Sequence, residues 1–230
     1  MDFYYDSFLC SPILLDYLTK MKFNQIFCDM DGVLVDFHKG MNMNINNLVK
    51  LTPEGLSLLS KKVAKFTLAL KEKMNNQGLT QYNFHDFENE KTIRKLTMAF
   101  ISNDPESSFY NLPHLEDGVN ELWSHLHTYG VKVDILSAPV PDKSGSFGPA
   151  RRGKTNWVKD YLNPFPSEIF ITPANEKWKH AVTNGVPNIL VDDNIKNITE
   201  WRAAGGIGFH HAPGKSFDTI QNMKNLLIGE

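Results

Sequence analysis

The chain has 230 residues, of which 41% are apolar and 22% charged, with 24 Lys and Arg against 26 Asp and Glu for a formal net charge of -2. This apolar content excludes a chain that is mainly disordered, and the length allows one or two domains with a proper buried core. The near-neutral balance gives no electrostatic footprint for non-specific binding to nucleic acid or to a membrane surface. Two cysteines, Cys10 and Cys28, cannot frame a disulfide-dependent fold. The N-terminus has no basic region and carries Asp2 and Asp6 early, so a cytoplasmic location is expected, with no membrane span.

Taken in chain order, residues 7–20 read as a short helix of open role. Asn24–Met30 is an apolar run ending in acidic residues and Gly32, as in a buried strand followed by a loop. Residues 38–112 change texture, becoming rich in Asn and Lys with a helical period. Thr52-Pro53-Glu54 starts a helix there, which the apolar spacing carries to Asn75-Asn76 and Gly78; a second helix is expected over Asp86–Ile101. Asp117 is expected to cap a helix through Tyr129, stopped by Gly130.

From that point strands and helices alternate. Strands are expected at Val131–Leu136, Glu168–Ile171, Asn188–Val191 and Ile207–His210. Helical pieces fall at 151–162, 174–184, 195–204 and 216–227. The alternation predicts a doubly wound, mainly parallel α/β sheet, with the helical block inserted after the first strand. The division drawn is 1–37 and 113–230 as the α/β core and 38–112 as a small helical cap. In such sheets ligands bind beyond the carboxyl ends of the strands.

Those ends carry Asp29-Met30-Asp31-Gly32, Ser137 and Asp192-Asp193, and Lys154 opens the helix after a further loop. Clustered carboxylates repel and are costly to desolvate unless a cation joins them, and hard oxygen ligands suit Mg²⁺. A lysine and a metal together can neutralise a phosphoryl group, an aspartate can attack phosphorus, and a second acid two residues on can serve as proton donor and acceptor. Each element alone has a plainer reading: Asp-x-Asp-Gly is commonly a turn, and Asp192-Asp193 could merely cap a helix. It is the joint order at successive strand ends that favours a site.

Phe27–Leu34, Ile135-Leu136-Ser137, Lys154 and Asp192-Asp193 resemble the four motifs of the haloacid dehalogenase superfamily of phosphohydrolases, whose core is Rossmann-like. Within it, Asp29–Phe37, Gly153–Leu162 and Ile189–Trp201 are similar to the 5'(3')-deoxyribonucleotidases. The resemblance implies Asp29 as nucleophile and metal ligand, and Asp31 as general acid and base that also ligates through its backbone carbonyl. It implies Ser137 and Lys154 on the phosphoryl oxygens, Asp192 completing a Mg²⁺ site, and Asp193 ligating through water or orienting the ligands around it. Phe37 falls where that family sets an aromatic against the base. Ala138 departs from it, standing at a substrate-contact position where the nucleotidases usually carry Ser. The implied partner is a small phosphomonoester, a nucleoside monophosphate, with no membrane and no nucleic acid; a homodimer is left open.

Other residues are weighed against ordinary roles. Lys177, in preference to Lys179, is a candidate second cation for phosphate. Arg151 and Arg152 border the Gly/Pro/Ser-rich loop 139–150, and a solvated helix start suits them better. His210-His211 cannot easily grip one ion from a strand, because neighbours face opposite ways. Trp123, Trp157 and Trp201 read as core, Trp178 stays open, and Phe84, His85, Phe87, Phe109 and Tyr110 are candidates for base stacking.

Overall fold

The computed structural model describes residues 23–83 and 91–227. Its centre is a five-stranded sheet in which every pairing is parallel: β1 (Gln25–Cys28), β2 (Lys132–Ser137), β3 (Ile169–Ile171), β6 (Ile189–Asp192) and β7 (Ile207–His210), in the order β3-β2-β1-β6-β7. A parallel sheet must be covered on both faces, and its strands alternate accordingly. Ile26, Cys28, Val133, Ile135, Ile189 and Val191 enter one apolar cluster, which also holds Trp123, Trp157 and Met223. Phe27, Leu136 and Leu190 enter another with Ile198 and Trp201. The three tryptophans expected in the core are fully buried.

Helices supply those covers. A π-helical turn at Gly118–Leu122 runs into α6 (Trp123–His127), and α7 (Gly148–Tyr161), α8 (Ile195–Ala203) and α9 (Ser216–Leu227) follow. Asp117 does not cap the first of these with its side chain. Its Oδ2 instead accepts from the backbone N–H of Ser216 at the start of α9, at 3.0 Å. Helix α7 starts at Gly148, so the end of the expected 139–150 loop is already helical.

The segment expected to be helical over 174–184 is split. Ala174–His180 is a 3₁₀ helix, and β4 (Val182–Thr183) pairs antiparallel with β5 (Val186–Pro187). Asn184 and Gly185, both at positive φ, form the two-residue turn between them. Asn-Gly is the pair that such a hairpin turn favours, which is why the helical period yields there.

The insert after β1 holds α1 (Phe37–Val49), α2 (Pro53–Ser57), α3 (Lys61–Asn76), α4 (Lys91–Ile101) and α5 (Pro105–Tyr110). The single helix expected from Thr52 onward is two. Thr52 caps α2, the chain breaks, and the Ser60 hydroxyl caps α3 by accepting from Val63 N–H. Ile45, Leu70, Met74, Tyr82 and Leu96 form an apolar centre belonging to the insert itself. The expected start of the second helix at Asp86, the helix over 7–20, Cys10, Phe84, His85 and Phe87 lie outside the described residues. No described helix is long and apolar enough to cross a membrane.

Candidate active site

Strand register brings the acids together. Cys28 at the end of β1 lies level with Ile135 of β2 on one side and Val191 of β6 on the other, so Asp29 and Asp192 leave adjacent strands side by side. From β1 the connections step outward through β2 to β3, and later return to β6 on the other flank. The crevice where strand order reverses is where a doubly wound sheet binds ligands. Carboxylate oxygens of Asp29, Asp192 and Asp193 all lie within 4.8 Å of one another.

Burial makes this cluster electrostatically costly. Asp29 is 5% exposed and Asp192 fully buried. Desolvation first, and then the Asp29 charge, pushes the Asp192 carboxyl up to about 6. For Asp193 the same order of causes, with Asp192 and Asp31 added, pushes it up to about 8. An oxygen-only, buried, mutually repelling trio is the donor set a hard divalent cation suits, and such an ion would reverse both shifts.

Two lysines enter the same crevice by different routes. Lys177, on the 3₁₀ helix before β4, is buried. Its Nζ lies 2.9 Å from Asp29 Oδ2 and 2.7 Å from Asp192 Oδ2. Burial pulls its pKa down, but the two carboxylates more than offset this and hold the ammonium above an ordinary lysine. Asp192 is held further by the Asn194 N–H at 2.8 Å and by Asn197 Nδ2 at 3.0 Å from each carboxylate oxygen. Lys179, the alternative to Lys177, is exposed and pairs with Glu176.

Lys154, on α7, is also buried, yet its ammonium pairs with neither Asp29 nor Asp192. Its Nζ donates to Asp31 Oδ2 at 2.7 Å and to Ser137 Oγ at 2.9 Å, and stands 4.3 Å from the centre of the Phe109 ring. The lysine at the expected nucleophile is therefore Lys177, while Lys154 serves the expected acid–base residue and the hydroxyl. Asp31 is raised above the ordinary carboxylate range, burial being the largest cause and Lys154 opposing it. Its other oxygen, Oδ1, is buried with no hydrogen-bond partner among the described residues. The Asp31 carboxylate stands outside the trio of acids; the ligand expected from this residue was its backbone carbonyl.

Local backbone geometry explains why these residues can crowd. After β1 the Met30 carbonyl accepts from the N–H groups of Val33, Leu34 and Val35, folding the chain into a tight loop. Gly32 sits at φ +76°, and a Cβ there would stand 2.1 Å from Asp193 Oδ2. Only glycine allows both the turn and the approach of Asp193. On α7, a Cβ at Gly153 would stand 2.3 Å from the Glu106 carbonyl oxygen of α5. Backbone contact there, reinforced by Arg152 to Glu106 at 2.7 Å and the Tyr110 hydroxyl to Asp160 at 2.7 Å, sets where Lys154 enters.

The remaining candidates fall as follows. Phe37 opens α1 and borders a cavity of about 90 Å³ shared with Asp31, Gly32 and Asp193. Ala138 follows Ser137 at the end of β2, half-buried. Arg151 reaches the Ile171 carbonyl at 3.4 Å. His210 bonds the Asp193 backbone carbonyl at 2.9 Å, whereas His211 faces inward to Thr219 Oγ1 at 2.9 Å, so the pair does diverge. Phe109 is buried under Lys154, Tyr110 is exposed, and Trp178 is exposed with its N–H on Asn175. Sequence reasoning missed Asn197; its signal was an amide on the first turn of the helix that follows Asp192.

No family model matches the chain, and no curated protein does. Among solved structures it is similar to a haloacid dehalogenase-like family hydrolase from Streptococcus pneumoniae, at 15% identity over 87% of this chain and 91% of that one, with a TM-score of 0.43. It is likewise similar to a HAD-superfamily hydrolase, subfamily IA, from Geobacter sulfurreducens PCA. There the identity is 14%, over 82% of this chain and 87% of that one, with a TM-score of 0.43.

Proposed function

We propose that the chain is a Mg²⁺-dependent phosphomonoester hydrolase of the haloacid dehalogenase type, acting on a nucleoside monophosphate as the 5'(3')-deoxyribonucleotidases do. The observation that carries this reading is the meeting of Asp29, Asp192 and Asp193 at the sheet's switch point, with two buried ammoniums and one buried hydroxyl beside them.

In this reading Asp29, Asp192 and Asp193 hold the ion, with the Asp31 carbonyl. When bound, Mg²⁺ supplies charge neutralisation for the acids and for the phosphoryl oxygens. The chain's own residues do the rest. Lys177 keeps the Asp29 and Asp192 carboxylates oriented and partly neutralised, and Asn197 fixes Asp192. The Asp29 carboxylate attacks phosphorus, the bond from phosphorus to the leaving oxygen breaks, and protonated Asp31 delivers its proton to that oxygen. Asp31, now a carboxylate, takes a proton from water as the water attacks the phosphorus of the aspartyl-phosphate. Inorganic phosphate leaves and Asp29 is regenerated. Its raised pKa suits Asp31 to begin as the acid, and Ser137 and Lys154 stand where the phosphoryl oxygens would need donors.

The test is phosphate release from dUMP, dTMP, AMP and sugar phosphates, with Mg²⁺ and with excess EDTA. The expectation is turnover only with the metal and a preference for one or more of the nucleotides. A profile indifferent to base and sugar removes the nucleotidase branch, and full turnover in EDTA removes the metal role.

A further inference from the structure

A cavity of about 740 Å³ lies apart from the acidic crevice. It opens between α3 and α4 of the insert and the loop that leaves β2. Three lysines line it, Lys62 from α3, Lys95 from α4 and Lys143 from the loop, beside apolar surface from Val63, Phe66 and Met98. Among the described residues neither Lys62 nor Lys95 has a carboxylate within ion-pairing distance, and Lys143 donates to Asn103 Oδ1. The single acid of the lining, Asp142, has one oxygen, Oδ1, turned into its own loop. That oxygen accepts from Ser144 N–H at 2.8 Å, Ser144 Oγ at 2.7 Å and Ser146 N–H at 2.9 Å.

Three lysines around one cavity carry like charge, and an anion seated among them would offset their mutual repulsion. Met98 is 45% exposed although it lines a concavity, apolar surface that a ligand could cover. The volume falls within the range of roughly 300–1,000 Å³ typical of small-molecule sites. We propose that this cavity is a second binding site, taking a small polyanion with an apolar ring-bearing body, the chemical class of a nucleoside polyphosphate. The lysines hold the phosphates, and Val63, Phe66 and Met98 receive the ring system. Such a ligand would touch both the insert and the loop joining Ser137 to α7. This assignment stands on the lining of the cavity and does not depend on the phosphatase reading.

Calorimetric titration of the full chain in excess EDTA, so that no metal at the acidic crevice can recruit phosphate, tests it with ATP, tripolyphosphate and adenosine. Saturable ATP binding is expected, with tripolyphosphate at least about tenfold weaker, because it lacks the ring, and adenosine showing none. The double variant Lys62→Glu and Lys95→Glu, at two exposed positions, is expected to weaken ATP at least about tenfold, with its thermal melt unchanged. Unaltered ATP affinity in that variant, or no saturable ATP binding by the unmodified chain, overturns the proposal. Tripolyphosphate binding as tightly as ATP overturns the assignment of the apolar surface.

Discussion

The sheet half and the helical insert bury different things. Every charged side chain buried among the described residues lies in the sheet half: Asp29, Asp134, Lys154, Lys177 and Asp192. The insert's buried polar side-chain groups include the hydroxyls of Thr67, Tyr82, Thr97 and Ser108, and its centre is closed by aliphatic and aromatic side chains. Buried ions must be paired and individually bonded, so the sheet half holds them at fixed positions, as the proposed catalysis requires. Thr67 shows the insert's simpler solution, returning its hydroxyl to the Val63 carbonyl at 2.9 Å. The difference teaches where precision is concentrated: at the carboxyl edge of the strands, with the insert free to vary around it.

The comparison breaks most sharply at Asp29. Asp29→Asn is expected to lower phosphate release at least about a thousandfold, because the amide is no nucleophile. Circular dichroism is expected to show the fold retained, and near-normal turnover in that variant would end the covalent route. The insert should respond in the opposite sense. Leu70→Ala empties part of its apolar centre and is expected to cost about 2–5 kcal/mol. Hydrogen exchange should localise the loss, with amides of α1 and α3 exposed before those of β1 and β6; simultaneous loss everywhere would show that the two halves are one cooperative unit.

Gly32→Ala probes the edge between them. The new methyl would meet Asp193 Oδ2 at 2.1 Å in a left-handed backbone, so the loop or the acid must shift. A displacement of about 1 Å at a reacting centre costs on the order of a hundredfold in kcat. Steady-state kinetics with intact melting behaviour is the result expected, and an unchanged kcat would show that Asp193 can move without consequence.

The smallest effect concerns the sheet half's buried histidine. Burial, opposed by Asp117, lowers the His211 pKa to about 4, so the unfolded chain binds this proton more readily than the folded one. Its contribution is fully present above pH 6.5 and is lost as pH falls toward 4, amounting to about 2 kcal/mol between pH 6.5 and 5. His211→Gln should therefore flatten stability against pH in that window in chemical denaturation. An identical slope in both proteins would assign the acid sensitivity elsewhere.

Much of this edge could be read from the chain alone, because apolar runs ending in acids mark strand ends and a parallel sheet gathers those ends on one side. What could not be read is which neighbours each acid meets. Strand order decides that Asp29 lies beside Asp192, and no local pattern encodes it. Lys177 lies in a polar stretch that resembles solvated surface, and only the packing of the 3₁₀ helix buries it between two carboxylates. Lys154 carries a helical signature that says nothing of whether it reaches Asp29 or Asp31. In the insert, Ser60 ends one helical period and caps the next, so a continuous apolar spacing concealed a break. The Asn184-Gly185 turn, by contrast, is written in the sequence, and in the fold it overrides the helical spacing around it.

At Gly153 and the Glu106 carbonyl two main chains touch with no side chain between them, leaving nothing compliant to shear. Helices α5 and α7 are therefore packed backbone to backbone at that point. The segment that returns the insert to the sheet is thereby fastened to the helix bearing Lys154, so the placing of that ammonium depends on the insert's last helix as well as on the sheet.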